Sequence, residues 1–257
     1  MIKFFRKIRY DLMEKNKTDR YFKYAIGEII LVVIGILIAL QINNWNENRK
    51  TKNQEINYYC QLVDNLNSDL SNIRLSENSL DVRLETAQRF LINLIKKQDK
   101  KDLLIQDWLG VVRSRSFVPT RAAINDITSS GKLEIISNDD YKTAILDYYV
   151  QQEQALDIMK INTNQLMDLL FGIKRYTAFG MQEVPKYKQI YDSELQELLK
   201  SSDWHKNPTD PIYEGVLNFA NMSIILCARE KEVLSNVQDQ AEELISLLEG
   251  KCENHTN

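Results

Sequence analysis

The feature that most constrains this chain is an apolar segment near its N-terminus, Tyr24–Trp45 (YAIGEIILVVIGILIALQINNW). Twelve apolar residues run without interruption over 29–40, and extension to 25–42 adds only Glu28 and Gln41 as polar positions. A helix over 25–42 is roughly 27 Å long at about 1.5 Å per residue, close to the roughly 30 Å hydrocarbon core of a bilayer. The segment therefore predicts a single transmembrane helix in contact with the lipid bilayer.

The charges on either side of this segment give its orientation. Residues 1–23 carry eight Lys or Arg against three Asp or Glu, whereas residues 43–257 carry 25 basic and 32 acidic residues. Basic residues that flank a span stay on the cytoplasmic side. We therefore expect a single-pass protein of the inner (cytoplasmic) membrane, with a cytoplasmic N-terminus and a periplasmic or otherwise extracytoplasmic C-terminal part. The acidic exterior excludes nucleic acid as an expected partner, because phosphate binding needs a cationic surface.

A cleaved signal peptide is the alternative, because it also has a basic segment before an apolar run. The pair of small residues expected before a cleavage site is missing, since Ala39 is followed two residues later by Gln41 and Gly35 by Leu37. A long basic segment and Glu28 within the apolar run are also unusual for a signal peptide. The pattern favours an uncleaved signal-anchor.

One side of the predicted span carries Glu28, Gly35 and Ala39, because steps of 7 and 11 residues nearly complete whole turns. Gly35 and Ala39 form a pair of small residues four apart, which lets two helices approach closely. These three residues are the candidate transmembrane packing face. In one interpretation Glu28 contacts a partner helix, responds to protonation or contacts an ion. In the other, its side chain extends toward the inner membrane interface near Lys23.

The segment before the span, residues 1–14 (MIKFFRKIRYDLME), combines an apolar stripe with several basic residues. This pattern predicts a short basic amphipathic helix on the inner membrane surface. The alternative is an extended basic tail that only enforces the topology.

Two segments resemble a known family. They are KFFRKIR followed by YAIGEIILVVIGILIALQINNWNE, and ITSSGKLEIISNDDYKTAILDYY at Ile127–Tyr149. Both are similar to uncharacterised bacterial single-span membrane proteins with a domain of unknown function. The resemblance implies a membrane anchor and a helical exterior. It implies no activity and carries no site residue onto this chain.

The strongest periodic pattern follows the span. Apolar residues recur at alternating spacings of three and four, and no Gly or Pro lies between Gly35 and Gly110. This predicts one helix from the span to about Lys97. Its apolar seam either pairs with the same helix of another chain, as in a coiled coil, or packs against later helices of its own chain. The seam comprises Ile56, Tyr59, Val63, Leu66, Leu70, Ile73, Glu77, Leu80, Leu84, Ala87, Leu91 and Leu94.

The remaining sequence also favours helices, because only eight Gly and four Pro interrupt the chain. We predict an all-α fold in which a single transmembrane helix continues into an extracytoplasmic bundle of long, coiled-coil-like helices. Further helices are expected at 102–113, 120–128, 139–175, 192–200 and 212–249, with Gly131 in a left-handed cap. The expected parts are a cytoplasmic segment 1–23, the span 24–45, the bundle 46–250 and a flexible tail 251–257.

Three cysteines, Cys60, Cys227 and Cys252, leave the disulfide pattern open. A bridge between Cys60 and Cys227 is possible outside the cytoplasm if their helices are neighbours. The simpler interpretation is two small buried residues on helix faces and one thiol in a loose tail.

No catalytic, metal or cofactor motif is recognisable. The two histidines, His205 and His255, have no second His or Cys at ligand spacing, so the sequence predicts no metal and no cofactor. Trp204, His205 and Asp210 could line a pocket, but the preferred interpretation is an ordinary surface loop with a buried Trp. The sequence therefore predicts that the protein is not an enzyme.

The leading hypothesis is a membrane-anchored, non-enzymatic helical interaction module, a scaffold or sensor that forms homo-oligomers or binds a partner membrane protein. The alternative is an extracytoplasmic domain that binds a small molecule near Trp108, Arg113 and Arg121. Together with Arg115, those arginines flank Phe117 and Pro119 and could hold an anion. The competing interpretation is that they pair with the many carboxylates of the exterior.

Overall fold

The computed structural model of the protein describes Tyr10 and residues 18–97, 99–113 and 115–252. These residues divide into two units, Met1–Ile56 and Asn57–Asn257. The part of the chain described here is helical and contains no β-strand, as the sequence predicts. The expected amphipathic helix over 1–14 lies, apart from Tyr10, outside the described residues.

The first helix, α1 (Thr18–Ile95), contributes its first part to one unit and the remainder to the other. Its N-terminal part contains an apolar window with a mean hydropathy of 2.6, none of which is buried inside the structure. By length and composition this is the one helix among the described residues that can cross a membrane. The long helix predicted from the span to about Lys97 is therefore confirmed to within two residues.

The seam of α1 packs inside its own chain. Tyr59, Leu66, Ile73 and Leu80 are buried in one hydrophobic cluster, and Leu94 is buried in a second. The second of the two alternatives for the seam, packing against later helices, is the one that the structure adopts. Because these side chains are already covered, the seam does not offer a surface for the same helix of another chain.

Four elements, all shorter than α1, follow it along the chain. They are α2 (Lys101–Val112), α3 (Ala122–Ser129), a 3-10 turn (Lys132–Ile135) and α4 (Asp139–Phe171). Gly131 separates α3 from the 3-10 turn with a φ of 68°, a left-handed conformation that glycine adopts without strain. The predicted left-handed cap at this glycine is confirmed.

The start of α4 is fixed by Asn138, whose side chain accepts a hydrogen bond from the backbone N–H of Tyr141 at 2.9 Å. Its end differs from the prediction, which placed it at Arg175. The helix ends at Phe171, since Gly172 forms the C-cap and Arg175 adopts a left-handed φ of 59°.

A connecting segment, 172–210, joins α4 to the last helix and consists of short turns. It contains α5 (Pro185–Lys188) and α6 (Ser193–Leu198), and three 3-10 turns. The last helix, α7 (Pro211–Cys252), packs along α4 and forms the most extensive helix pair of the bundle. The 3-10 turns are Tyr176–Ala178, Met181–Glu183 and Trp204–Lys206.

Two hydrophobic clusters fill the second unit. The first joins the middle of α1, from Tyr58 to Leu80, to α3, α4 and the later part of α7. The second joins the end of α1 to α2, the connecting segment and the early part of α7. Because α7 returns antiparallel to α1, its last turn lies near the start of the bundle.

That direction explains a disulfide that differs from the pairing considered from the sequence. Cys60 is bonded to Cys252, with Cα atoms 5.1 Å apart and 192 residues between them in the chain. Cys227 is a buried free thiol. It lies roughly 37 Å of helix before Cys252 at about 1.5 Å per residue, too far to reach Cys60. The expected thiol in a loose tail is also wrong, because α7 continues to Cys252.

Candidate functional site

The most buried line of α1 carries three polar side chains, called here the polar line: Asp69, Ser76 and Arg83. Together with Leu62 and Phe90 they recur every seven residues, and each is at most 5% exposed. Seven residues nearly complete two helical turns, so all five side chains share one side of the helix. Polar groups placed in a bundle interior need hydrogen-bond partners, and their partners define the site.

Asp69 is held by three donors from two other segments. The backbone N–H of Thr120 donates to its Oδ1 at 2.6 Å. The hydroxyl of Tyr148 and the amide of Gln152 donate to its Oδ2 at 3.1 and 2.8 Å. Burial raises the pKa of Asp69 above its ordinary value, and these hydrogen bonds oppose the shift. The carboxyl group thus ties α1 to α4 and to the segment before α3.

Arg121 extends this network through Gln152. Its Nε donates to the amide oxygen of Gln152 at 2.9 Å, and its Nη2 lies 3.5 Å from the carbonyl oxygen of Tyr149. Burial raises the pKa of Tyr149, with the charge of Asp69 adding to the shift and Arg121 opposing it. Asp69 and Gln152 use their oxygens in internal hydrogen bonds, which favours a structural role for the network.

Arg83 lies in α1 between the parts that pack in the first and second hydrophobic clusters. Its Nε donates to the carbonyl oxygen of Val111 at the end of α2, at 2.8 Å. Burial raises the pKa of both Cys227 and Glu230 on α7, and the charge of Arg83 opposes both shifts. The amide nitrogen of Asn162 on α4 is buried here without a partner among the described residues.

These buried groups are poorly suited to catalysis. The thiolate is the reactive form of cysteine, so the raised pKa of Cys227 keeps this thiol unreactive. The Ser76 hydroxyl donates to the carbonyl oxygen of Asn72 at 2.9 Å within its own helix. A substrate would also have to reach side chains that are at most 5% exposed. The arrangement can position helices relative to one another, and it offers no accessible reacting atom.

An open groove of about 570 Å³ lies between α4 and α7, next to the Asp69 network. Tyr148 belongs to both, since its ring lines the groove and its hydroxyl contacts Asp69. The rim carries the carboxylates Asp147 and Glu243. The groove is therefore a partly apolar surface with acidic edges. Its other lining residues are Ala144, Gln151, Gln240, Leu244, Ser246 and Leu247.

The three residues proposed from the sequence to contact a ligand do not form one site. Trp108 is fully buried in the second hydrophobic cluster, where its ring lies 4.7 Å from that of Phe219 and 5.7 Å from that of Phe90. Its indole N–H has no partner among the described residues. A side chain enclosed in this way is part of the core and is not available to a ligand from solvent.

The two arginines belong to different contacts. Arg113 is exposed just after α2, and its Nη2 lies 3.3 Å from the hydroxyl of Tyr187 in the connecting segment. Arg121 contacts Gln152 and lies 3.9 Å from a carboxylate oxygen of Glu153. Neither arginine contacts Trp108, so the ligand site imagined from the sequence has no counterpart in the geometry.

Of the candidate packing face of the span, Gly35 and Ala39 are exposed in the first unit and Glu28 is half-buried. A Cβ added at Gly35 would meet no atom within 4 Å. The large apolar residues of the span are also exposed, with values such as 49% at Ile34 and 58% at Leu37. The chain thus places Gly35 where a bilayer or another helix can reach it.

Metal binding has no support among residues 18–97, 99–113 and 115–252, where no group of three or more His, Cys, Asp or Glu could hold an ion. His205, predicted to lie in a loop, is 1% exposed within the turn Trp204–Lys206, and neither ring nitrogen has a partner there. Burial lowers the pKa of His205. Asp210 lies nearby in sequence but uses its Oδ1 to accept from the N–H of Ile212, at 2.9 Å.

The polar line is not predicted from the sequence, because the prediction of the seam rests on apolar residues alone. A spacing of seven between Asp69, Ser76 and Arg83, inside a run of apolar heptads, was a usable signal. Each of the three lies one residue before a seam position (Leu70, Glu77 and Leu84), and so borders the apolar seam. That pattern indicates a buried polar layer as well as an exposed helix face.

The all-helical fold and its single apolar, exposed helix define the class of an α-helical protein with one candidate membrane span. Within that class the chain belongs to DUF6090, a family of unknown function, whose match covers residues 28–166 and so more than half of the chain. The predicted membership in an uncharacterised family is confirmed. No curated protein and no solved structure matches the chain.

Proposed function

We propose that this protein is a single-pass membrane protein whose helical unit works outside the cytoplasm as a non-enzymatic interaction module. The observation that carries the proposal is the apolar window of α1, none of which is buried among the described residues. Exposed apolar surface of this extent needs a bilayer or a second apolar helix around it.

The disulfide supports the proposed side of the membrane. Disulfides persist in oxidising compartments and are rare in the cytoplasm. The Cys60–Cys252 bond lies in the unit that follows the span. An extracytoplasmic bundle agrees with the excess of basic residues before the span, eight against three acidic ones. Two independent properties of the chain thus favour the same orientation.

Oligomerisation through the span is the most specific part of the proposal. Gly35 and Ala39 create a shallow face on which a second helix can approach closely. In-membrane crosslinking of the full chain should capture a dimer or a higher oligomer. Gly35→Leu should reduce the crosslinked fraction at least about fivefold, because about 1 kcal/mol or more of close helix packing is lost.

The matched control is Leu37→Phe, which adds bulk on the opposite side of the same helix and should leave the crosslinked fraction unchanged. Since a Cβ added at Gly35 meets no described atom within 4 Å, we expect a loss of crosslinking to report on the partner and not on folding. An unchanged oligomer in Gly35→Leu would rule out this packing face.

Small-molecule binding is the second candidate function, and the groove between α4 and α7 favours it. Its volume of about 570 Å³ is within the range of ligand sites. A metabolite that fills the groove should raise the melting temperature of the full chain in detergent, because it binds only the folded state. Melting that stays unchanged across a broad ligand library would remove this candidate.

A further inference from the structure

A second pocket, of about 500 Å³, is built from the connecting segment. It shares no lining residue with the groove between α4 and α7. Six of the side chains that line it are polar, and two of these six are lysines. They are Gln182, Glu183, Lys188, Gln196, Lys200 and Ser201.

Among the described residues that line this pocket, Glu183 is the one acidic residue, and it forms an ion pair with Lys101 from the first turn of α2. The Nζ of Lys101 lies 2.8 Å from an oxygen of Glu183, and it also donates to the Ser201 hydroxyl. The Ser201 hydroxyl in turn donates to Glu183. The side chain of Lys101 is 13% exposed, whereas that of Glu183 is 42% exposed and reaches solvent. Lys101 and Ser201 together hold Glu183 in place, and the ammonium group of Lys101 compensates its charge.

Two carboxamides are fixed by the backbone. Gln182 donates from its amide nitrogen to the carbonyl oxygen of Leu199 at 2.5 Å. Gln196 donates to the carbonyl oxygens of Lys188 and Tyr191 at 3.0 and 2.8 Å. Both residues line the pocket, and neither amide oxygen accepts a hydrogen bond from a described residue. These oxygens are acceptors that a hydroxyl group of a ligand can use.

Lys188 and Lys200 make no ion pair with any described residue, and both line the pocket. Because Lys101 and Glu183 compensate each other, the two free ammonium groups leave the pocket cationic. Glu194 and Glu197 on the nearby α6 do not line it. The surrounding chain is acidic, with 32 acidic and 25 basic residues over 43–257. A cationic concavity in an acidic exterior concentrates anions at that place.

We propose that this pocket binds a small phosphorylated polyol, with Lys188 and Lys200 on the phosphoryl group and the two glutamine oxygens accepting from hydroxyls. Two lysines match the charge of about −2 on a phosphate monoester at neutral pH. A pocket of about 500 Å³ is large enough for a molecule of this class. This binding site is independent of oligomerisation through the span.

The test is isothermal titration calorimetry on the full chain in a neutral detergent, with glucose 6-phosphate as the probe. We expect saturable binding that is at least about tenfold weaker in the double variant Lys188→Gln/Lys200→Gln, a factor that equals about 1.4 kcal/mol. The matched control, Lys174→Gln/Lys186→Gln, removes two exposed lysines of the same segment that do not line the pocket. It should bind like the natural protein.

Three further probes show which part of the ligand the pocket recognises and whether that ligand is a free sugar phosphate or a lipid headgroup. Glucose and inorganic phosphate should each bind more weakly than glucose 6-phosphate, and glycerophosphoinositol tests whether a lipid headgroup is preferred to a free sugar phosphate. Absence of saturable binding, or an equal loss in both double variants, would overturn the proposal. If inorganic phosphate binds as tightly as glucose 6-phosphate, the hydroxyl groups of the ligand do not contribute to binding, and that part of the proposal is wrong.

Discussion

At the scale of single residues, Asp69 is a carboxyl group that folding removes from water, an environment that its charge disfavours. A carboxyl group with no exposed surface loses its hydration, and three hydrogen bonds replace it. The donors come from α4 and from the segment before α3, so the group selects how these pieces meet α1. Such a network stabilises a fold only if all its members are satisfied.

We therefore predict that Asp69→Asn destabilises the protein. The amide replaces one acceptor oxygen by an NH₂ group that faces donors, so at least one buried donor loses its partner. The expected cost is about 1–3 kcal/mol. The corresponding fall in melting temperature, followed by circular dichroism of the full chain in detergent, is roughly 2–12 °C.

Asp64→Asn is the matched control, because Asp64 is exposed on the same helix. It should change the melting temperature by at most about 2 °C, since exposed substitutions have small effects. If the two variants melt at the same temperature, the Asp69 network does not stabilise the bundle.

At the scale of elements, the long helices and the connecting segment differ in the side chains that specify their structure. α1, α4 and α7 are specified by periodic apolar faces, whereas the short turns of 172–210 depend on a few large buried side chains. The Trp204 indole donates to the carbonyl oxygen of Phe179 at 2.8 Å, and its ring stacks on that of Phe179. His205 follows directly, with its imidazole against the Trp204 ring. This pair connects the segment to the core.

His205 makes the connecting segment sensitive to acid. Burial lowers its pKa in the folded chain, while the unfolded chain protonates near the ordinary value of about 6.5. The unfolded state thus binds more protons at acid pH, so the contribution of His205 to stability is complete above about pH 6.5 and is lost as the pH falls. The charged groups that act on it are Asp203, Lys206, Lys101 and Asp99.

The expected result is a lower melting temperature at about pH 5.5 than at about pH 7.5, with a smaller difference in His205→Phe, which cannot be protonated. Thermal melts of both proteins at the two pH values measure this directly. An identical pH dependence in the variant would show that other groups cause the acid sensitivity.

Helix patterns predict the elements of this fold better than they predict its site. The apolar faces of α1 and α4, the left-handed Gly131 and the capping region at Asn138 follow from local chemistry, which a sequence displays. The partners of Asp69 lie on separate segments, and nothing local distinguishes Gln152 from an exposed glutamine. The pairing of Cys60 with Cys252 likewise depends on how far α7 continues and in which direction it returns.

At the scale of the whole molecule, the disulfide and the charge distribution both favour an extracytoplasmic bundle. Counting the reactive thiols tests this topology. Of the three cysteines, only Cys227 is free in the structure. If the bundle is extracytoplasmic, the bond forms in cells. Protein extracted under denaturing conditions should then react with one maleimide-polyethylene glycol before reduction and with three after it, which a gel shift resolves.

The variant Cys227→Ala provides the control for this count and should react with no reagent before reduction and with two after it. Three reactive thiols in the natural protein without any reduction would place the bundle in a reducing compartment. That outcome would contradict the proposed orientation and leave the fold unaffected.

The Cys60–Cys252 bond also has a mechanical consequence. It joins a residue near the start of the bundle to the last residue of α7, and thereby closes 61–251 into a covalent ring. Tension applied between the chain before Cys60 and the chain after Cys252 runs through the two sulfur atoms and bypasses the ring. The helical segments within 61–251 then carry no load. When the bond is reduced, the same tension must pass through α1, α4 and α7, whose packing alone would resist it.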